Sequence, residues 1–391
     1  MLSFDVSAVI PCYNCENFIE ETVSSLLSQT IQLKEIILIN DASTDNTAEI
    51  LRQIEEKNKD IVKVIDLKKN KGASYARNYG VKISRGDYIL FMDSDDVAEL
   101  MLIENYRSRL QELNYGMEDK YALCYSAYIQ IDEKDNEISE IIKGIQVEPE
   151  EILGYEFLRN YIISTSGVVV YKKLFLECGG FNEKLVYSED WDLWLKLAMK
   201  GGFAYINKPM VKIRRHLNNI SSNIKNMLEG ERKVLSNYNI DFIESSIYRR
   251  NLPYEKNTVD FVSMLFKLDY WKEGYNKLSQ TISLGYSSDS LLFYLGLYYL
   301  KRNCIKEARI NFDKTLTLNS SHGAALNNMG GIYLLMNNKE LAKEYFLKAL
   351  KIYSNYIDAN FNLELLNNSE ITKNEIKFTW RELRGVLISY V

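Results

Sequence analysis

The run from Glu35 to Asn40 constrains the fold most, because it is apolar almost without interruption. A strand of this kind is expected where both faces of a sheet are covered by other elements. Strand and helix patterns alternate around it, with strands at 6–10, 61–67 and 88–92 and helices at 16–28, from about 45, and at 74–84. This order predicts an α/β fold with a mostly parallel sheet covered by helices. Ligands of such sheets bind beyond the carboxyl ends of the strands.

A second pattern begins near residue 257, where the strand patterns stop. Small, aromatic and aliphatic residues recur there after 34 positions, so that Gly296, Tyr299, Ala308, Phe312 and Leu316 return as Gly330, Tyr333, Ala342, Phe346 and Leu350. A weaker copy lies 34 positions earlier, and the spacing predicts a helix–turn–helix unit stacked three times. The predicted domains are an α/β domain at 1–225, a helical linker at 226–256, and repeats at 257–391. Terminal capping helices are expected at 359–366 and 378–388.

Composition excludes several classes of protein. The formal net charge of −5, with no basic block, gives no electrostatic reason to expect a nucleic-acid partner. Five cysteines are too few and odd in number for a disulfide framework, which favours a reducing compartment. No apolar run is long enough for a transmembrane segment, and the first residues do not resemble a secretory signal. These features predict a cytoplasmic protein, with peripheral attachment to the membrane as the alternative.

An acidic cluster follows the strand at 88–92. Asp93, Asp95 and Asp96 lie within four residues, where their carboxylates repel one another. A divalent cation with oxygen ligands would relieve that repulsion and could hold a diphosphate. The alternative is a solvated acidic turn that caps the next helix.

A second acidic site begins a predicted helix near Glu189. Carboxylates in the first turn of a helix are favoured in their ionised form, and an ionised Asp190 at the rim of a pocket could serve as a general base. Trp191 and Trp194 are either core residues or platforms for a sugar. Farther on, His216 lies beside the cations of Arg214 and Arg215, and these residues could meet phosphate oxygens.

Two further loops follow the first two strands. Tyr13, after Pro11, could stack on a flat base or sugar, or simply pack. Asp41 could contact the polar edge of a nucleobase, although Ser43 or Thr44 in the same loop could equally cap a helix. Cys12 and Cys15 form a CxxC pair in the same loop as Tyr13. A redox dithiol is therefore an alternative interpretation of this loop.

Taken in order, these motifs resemble those of a family 2 glycosyltransferase with the GT-A fold, over about residues 5–220. The resemblance rests on Val9 to Asn14, Asp41 to Asp45, Asn70 to Ala73, Ala76 to Asn78, Asp93 to Asp95, Gly179 to Phe181, Glu189 with Asp190, and Arg214 to His216. It implies a GT-A (Rossmann-like) domain. The spacing of the second region resembles tetratricopeptide repeats, although Ser320 and Ser354 replace the usual proline. The expected architecture is therefore a GT-A domain followed by an all-α tetratricopeptide-like domain.

The family resemblance also implies roles for residues that bind the donor. Pro11, Tyr13 and Asp41 would bind the uracil or other base of a nucleotide-sugar. Arg77 would lie near the nucleotide, and Asp93 would contact the ribose or the sugar. The chain departs from the family at Asn40, where the first of two aspartates is usual, which leaves Asp41 to bind the base.

The same resemblance places the chemistry in the acidic motifs. Asp95 would bind Mn²⁺ or Mg²⁺, and His216 with Arg214 would engage the metal–diphosphate end. Asp190 would deprotonate the acceptor. The extra carboxylate of Asp96 leaves open which aspartate binds the ion.

The predicted function is inverting, metal-dependent transfer of a sugar from a nucleotide-sugar, with UDP as the expected nucleotide, to a hydroxyl of a glycan, a lipid-linked glycan or a protein. The repeats would recruit the acceptor or a protein partner, or mediate self-association. The alternative is a repeat-based scaffold with an inactive transferase domain. A sugar nucleotidyltransferase is disfavoured, because residues 11–16 do not form a glycine-rich basic loop.

Overall fold

A computed structural model describes residues 4–113, 120–216, 224–368 and 371–383. The chain forms two compact units, Met1–Arg250 and Asn251–Val391. The domain limits expected from the sequence stay predictions. In the described part of the chain, no helix has the length and apolar character needed to cross a membrane.

The first unit is built on a sheet whose eight strands, among the described residues, are ordered β3-β2-β1-β4-β7-β6-β8-β5. The strands are β1 Val6–Cys12, β2 Glu35–Asn40, β3 Val62–Asp66, β4 Tyr88–Phe91, β5 Val97–Ala98, β6 Tyr121–Ile131, β7 Val168–Tyr171 and β8 Gly202–Arg214. The first four strands pair in parallel. Strand β7 pairs antiparallel with β4 and β6, β5 pairs antiparallel with β8, and β6 is parallel to β8. The sheet is therefore mixed.

Nine helices of the first unit are described. They are α1 Ile19–Leu27, α2 Thr47–Lys57, α3 Ala73–Ile83, α4 Leu102–Leu113, α5 Ile152–Glu156, α6 Lys172–Glu177, α7 Glu189–Ala198, α8 Ile224–Leu235 and α9 Ile240–Ile247. The predicted alternation of strands and helices is confirmed in the first ninety residues.

Both faces of strand β2 are covered by helices, as its apolar run predicts. Alternate side chains of a strand point to opposite faces. Ile36 and Leu38 pack in the core that includes residues of α1 and α2. Ile37 and Ile39 pack on the other face, against Ala76 of α3. All six residues of β2 are buried.

The parallel register brings the predicted motifs to one edge of the sheet. Cys12, the last residue of β1, pairs with Asn40, the last residue of β2. On the other side of β1, Val9 pairs with Phe91 at the end of β4. The loops that begin at Tyr13, Asp41 and Met92 therefore leave the sheet from neighbouring strands at the same edge.

The second unit is helical throughout its described secondary structure. Its helices are α10 Tyr254–Lys267, α11 Trp271–Ser283, α12 Asp289–Lys301, α13 Ile305–Leu318, α14 Gly323–Leu335, α15 Lys339–Ile352 and α16 Ile357–Leu365. Helices α12, α14 and α16 begin 34 residues apart, at Asp289, Gly323 and Ile357. The likeness to tetratricopeptide repeats stays a prediction.

The recurring glycines allow these helices to pack closely. A Cβ atom on Gly296 would lie 2.6 Å from the ring of Phe312, and one on Gly330 would lie 2.4 Å from the ring of Phe346. Of the two expected caps, 359–366 overlaps α16. Residues 378–383 are not helical, and the rest of that second segment lies outside the described residues.

Candidate active site

The side chain of Arg77 joins two of the predicted acidic motifs. Arg77 lies on the buried face of α3, and its side chain is 6% exposed. Its Nη2 atom lies 2.6 Å from Oδ1 of Asp93, after β4, and its Nη1 atom lies 3.9 Å from Oε1 of Glu189, at the start of α7. One buried cation therefore lies between carboxylates that are 96 residues apart in the sequence.

The first turn of α7 presents Asp190 to this cluster. The preceding residue, Ser188, has a left-handed backbone with φ of 61°, which is uncommon for a residue other than glycine. The Asp190 carboxylate accepts hydrogen bonds from the backbone N–H of Trp191 (2.7 Å) and from Nδ2 of Asn160 (2.9 Å). Burial, followed by the negative charge of Glu189, raises the pKa of Asp190 to about 7. A carboxyl with this pKa can exchange a proton near neutral pH.

Asp95 and His216 form a second pair beside this cluster. Nε2 of His216 lies 2.8 Å from Oδ2 of Asp95, and Phe18 stacks on the imidazole with ring centroids 5.7 Å apart. Burial and the nearby charge of Asp93 raise the pKa of Asp95, although His216 opposes that shift. The described residues contain no group of three or more His, Cys, Asp or Glu side chains placed to bind a metal ion.

The donor set nevertheless fits a metal that is shared with a substrate. Mg²⁺ is commonly held by one or two carboxylates together with substrate phosphates and water, and Mn²⁺ accepts a similar oxygen-rich set. Asp95 and His216 could supply two ligands, whereas Asp93 is engaged with Arg77. Asp96 is 2% exposed and accepts a hydrogen bond from the backbone N–H of Arg214. Because Asp96 is buried, Asp95 is favoured over Asp96 as the metal ligand.

The side chain of Arg214 stabilises the turn that contains Asp95 and Asp96. Its guanidinium donates to the backbone oxygens of Asp95 (2.9 Å) and Asp132 (3.0 Å), and it forms ion pairs with Glu21 and Asp135. Its side chain is 1% exposed. The predicted contact of Arg214 with a diphosphate stays a prediction.

The loops expected to bind a base are held in place by hydrogen bonds. Both carboxylate oxygens of Asp41 accept from backbone N–H groups, those of Lys71 (2.8 Å) and Gly72 (2.7 Å) at the start of α3. Gly72 has φ of 87°, a conformation that favours glycine. Pro11 lies within β1, opposite Ile39. Tyr13 is 50% exposed at the same edge, where its ring is accessible to a ligand.

The two thiols of the CxxC pair are buried. Cys12 is 0% exposed and Cys15 is 5% exposed, and both are free. Thiol–disulfide exchange requires access to the attacking thiolate. Burial raises the pKa of the Cys12 thiol, whereas a hydrogen bond with Cys12 lowers the pKa of the Cys15 thiol. The burial of both sulfur atoms disfavours the redox alternative and favours a packing role beneath the loop.

Comparison with known proteins places this geometry in a family. Residues 7–126 match the family described as Glycosyl transferase family 2. The chain is 31% identical over 220 residues to the putative teichuronic acid biosynthesis glycosyltransferase TuaG of Bacillus subtilis. This alignment covers 56% of this chain and 82% of TuaG. The chain belongs to glycosyl transferase family 2. The prediction of a glycosyltransferase is confirmed.

This family 2 glycosyltransferase is also similar to a second named relative and to a solved structure. The chain is 34% identical over 240 residues to WfaP of Escherichia coli, and the alignment covers 60% of this chain and 87% of WfaP. WfaP is named a UDP-Glc:alpha-D-GlcNAc-diphosphoundecaprenol beta-1,3-glucosyltransferase. The crystal structure of S. aureus TarS 1–349 in complex with UDP-GlcNAc aligns with a TM-score of 0.50 at 16% identity. That alignment covers 89% of this chain and 91% of TarS 1–349. At this identity the likeness concerns the fold, which confirms the predicted α/β domain followed by a helical region.

The structure also shows what positions two motifs of the family 2 domain. The side-chain amide of Asn78 accepts from the backbone N–H of Phe181 and donates to its carbonyl oxygen, both at 2.9 Å. A Cβ atom on Gly180 would lie 2.5 Å from Oδ1 of Asn78, so this turn requires glycine. Phe181 in turn packs near the Arg77 guanidinium, with 5.4 Å between the guanidinium carbon and the ring centroid.

Sequence reasoning missed other residues of the site. Asn160 bonds to Asp190, and Ser166 accepts from the backbone N–H of Asp93 at 3.0 Å. Glu156 is 0% exposed and lies near Asp190, and its burial raises its pKa well above the ordinary value. No motif marked Asn160 or Ser166, because they reach the site through loops that only the fold brings together.

Proposed function

We propose that the chain is an inverting, metal-dependent glycosyltransferase that moves a sugar from a UDP-sugar to an acceptor hydroxyl. The observation that carries this proposal is the contact of Arg77 with both Asp93 and Glu189, because it assembles the exit of β4 and the start of α7 into one site. The name of WfaP, which includes UDP-Glc, supports UDP as the nucleotide of the donor.

Asp190 would act as the general base. The acceptor oxygen attacks the anomeric carbon of the donor from the face opposite the nucleotide, and its proton passes to the Asp190 carboxylate. The bond between the anomeric carbon and the diphosphate oxygen breaks, and its electron pair leaves with the nucleoside diphosphate. A single carboxylate is sufficient, since the diphosphate leaves without being protonated, whereas hydrolysis of a plain glycoside uses two carboxyl groups. The hydrogen bonds from Asn160 and Trp191 hold the carboxylate in position.

At the other end of the donor, Asp95 and His216 would hold Mn²⁺ or Mg²⁺. A bound divalent cation acts as a Lewis acid that offsets the charge developing on a leaving diphosphate. Asp93 would contact the ribose or the sugar, and Arg77 would set the position of Asp93. Tyr13, Pro11 and Asp41 would bind the base at the edge of the sheet.

The acceptor would be a hydroxyl of a glycan, a lipid-linked glycan or a protein. WfaP, at 34% identity, is named for a diphosphoundecaprenol-linked acceptor, which favours the lipid-linked class. Action on such an acceptor would place the chain at a membrane surface. The helical region, proposed to consist of tetratricopeptide-like repeats, would recruit the acceptor or a protein partner.

Metal removal tests the proposal directly. The purified chain is incubated with a panel of UDP-sugars and Mn²⁺, and UDP release is measured with and without candidate acceptors. We expect EDTA to abolish the release and added Mn²⁺ or Mg²⁺ to restore it. The Asp95→Asn variant should need at least about tenfold more Mn²⁺ for half-maximal activity, since even loss of an outer-shell partner weakens metal binding by 10–100-fold.

The matched control is Asp60→Asn, which removes an exposed carboxylate before the amino end of β3, whereas the loops of the site follow the carboxyl ends of the strands. It should leave the metal requirement unchanged. Full activity in EDTA would contradict metal dependence, and the absence of any UDP release with any donor would favour the inactive scaffold instead.

The pKa of Asp190 predicts the pH dependence of the reaction. A general base must be ionised, so kcat/KM should fall about tenfold for each pH unit below about 7. The bond from Asn160 favours the ionised carboxylate and lowers this pKa. Its loss in Asn160→Ala should therefore move the acidic limb to higher pH, by about one unit.

The pH–rate profile of kcat/KM checks this expectation. Asn58→Ala serves as the control, because the amide of Asn58 bonds only to the backbone oxygen of Ile54 among its described hydrogen bonds. An identical profile in Asn160→Ala and the unaltered chain would exclude Asn160 as a positioning residue of the base.

A further inference from the structure

A cleft lies between β6 and the loop that precedes β7. Its lining includes residues 161–164 of that loop, Tyr125 and Tyr128 of β6, and Lys143 from the segment that follows β6. None of these residues has a role in the proposed donor site. The cleft, here called the loop cleft, therefore combines aromatic rings with the ammonium group of one lysine.

The loop that lines this cleft also contacts both halves of the candidate active site. Near its start, Nδ2 of Asn160 donates to the Asp190 carboxylate at 2.9 Å. Near its end, Oγ of Ser166 accepts from the backbone N–H of Asp93 at 3.0 Å. The lining residues 161–164 lie between these two contacts. The loop cleft is therefore next to the proposed general base, where an acceptor must bind for its hydroxyl to reach Asp190.

Two cations border the loop cleft. Lys143 is exposed and lines it, and the guanidinium carbon of Arg159 lies 4.1 Å from the centroid of the Tyr161 ring, which also lines it. A guanidinium stacked on an aromatic face keeps its N–H donors for another partner. Neither cation forms an ion pair with another described residue, whereas Arg77 and Arg214 are each held by two carboxylates.

The candidate active site beside these cations is acidic. Asp93, Asp95 and Glu189 contribute carboxylates, and Asp190 must ionise to act as a base. Their negative charges would repel an acceptor that carries a carboxylate or a phosphate. The two bordering cations would offset this repulsion, because charged N–H donors bind carboxylate and phosphate oxygens strongly. A neutral acceptor would gain little from them.

We propose that the loop cleft binds the acceptor as an acidic saccharide, with the sugar against Tyr161 and its carboxylate or phosphate paired with Lys143 and Arg159. This inference rests on the proposed function, since it names the acceptor class of the same site. Among glycan, lipid-linked glycan and protein acceptors, it selects those in which the sugar beside the base carries an anionic group.

Binding of small probes to the full chain tests this inference without any transfer reaction. The probes are methyl glucuronide, which carries a carboxylate, methyl glucoside 6-phosphate, and the neutral methyl glucoside. EDTA is present, so that no metal ion holds the anion, and ligand-observed NMR measures Kd. We expect the acidic probes to bind at least about tenfold more tightly than the neutral one. The tighter of the two acidic probes identifies the anionic group, and added salt should weaken only these two probes.

Substitutions then assign the affinity to the loop cleft. Lys143→Gln and Arg159→Gln should each weaken the acidic probes by about tenfold and leave the neutral probe nearly unchanged, because each removes one charge. Tyr161→Ala should weaken all three probes. The matched control is Lys173→Gln, an exposed lysine of α6, which follows β7 at the edge of the sheet where β4 begins. It should change no affinity. Circular dichroism shows that each variant is folded.

Two results would overturn the inference. The acidic and neutral probes could bind equally well, or the acidic probes could bind Lys143→Gln and Arg159→Gln as well as they bind the unaltered chain. Either result would identify the two cations as solvated surface groups.

UDP release, measured separately, distinguishes this inference from the proposed function. A chain that binds the acidic probes through Lys143 and Arg159 but releases no UDP from any UDP-sugar would contradict the transferase proposal and support the loop cleft as a saccharide site. A chain that releases UDP and shows no preference for the acidic probes would contradict the loop cleft alone.

Discussion

Replacement of Asp190 by Asn is expected to lower kcat by about 10²–10⁴-fold, the usual contribution of a general base. The amide keeps the shape of the side chain and can still accept from the backbone N–H of Trp191, but it cannot take a proton. UDP release at saturating donor and acceptor measures the effect. Glu177→Gln is the matched control, because Glu177 lies on the partly exposed surface of α6 and pairs only loosely with Lys200 at 3.7 Å. Near-normal turnover in Asp190→Asn would remove Asp190 from the mechanism.

The same variant should be more stable than the unaltered chain at pH 8. The pKa of Asp190 rises from 3.8 to about 7 on folding, so the folded state holds this proton more tightly than the unfolded state. The stability that the proton contributes is fully present below about pH 4 and is lost as the pH rises to about 7. Asparagine carries no such loss. A melting temperature that increases at pH 8 while turnover falls would show that inactivity does not come from unfolding.

Replacement of Arg77 by Met is expected to lower both activity and stability. Its buried guanidinium makes a 2.6 Å ion pair with Asp93, and its loss should reduce the free energy of unfolding by about 2 kcal/mol, as for other hydrogen bonds between charged groups. Asp93 is partly exposed and can recover water, which limits the loss. Because Arg77 no longer holds Asp93 in place, kcat/KM at pH 7 should fall by at least about tenfold, and loss of the cation also raises the pKa of Asp190 slightly.

Two controls separate charge from geometry at this position. Arg77→Lys keeps the charge but not the planar fork that reaches both Asp93 and Glu189, so its activity should lie between those of the unaltered chain and Arg77→Met. Arg52→Met removes an exposed arginine whose ion pair with Glu49 spans 3.6 Å and should change neither quantity. Chemical denaturation and the kinetics of UDP release measure both. An Arg77→Met chain with normal kcat/KM would show that Arg77 does not join the two motifs into one working site.

Much of the first domain could be predicted from the strand pattern. The apolar run of β2 required cover on both faces, and α1, α2 and α3 supply it. The order of strands and helices then placed the loops after β1, β2 and β4 at one edge of the sheet. The antiparallel strand β7 was not predicted, because its pairing with β4 depends on a long-range return of the chain that leaves no local periodicity.

The candidate site, too, could be predicted from the sequence only in part. The positions of Asp93, Asp95 and Asp190 were proposed from their motifs, and their chemical roles stay predictions. What the motifs could not show is that Asp93 and Glu189 lie on either side of Arg77, or that Asn160 holds Asp190. Such contacts join residues far apart in sequence, and no local pattern encodes the distance between them.

The sequence by itself determined the family, the alternating α/β order and the 34-residue period of the helices, since each depends on residue types at fixed local spacing. Only the tertiary structure decided which carboxylates share a cation, which thiols are buried, and that residues 161–164 line one cleft together with Tyr125 and Tyr128. Those facts depend on how separate elements pack, because burial and pairing are properties of the folded chain as a whole.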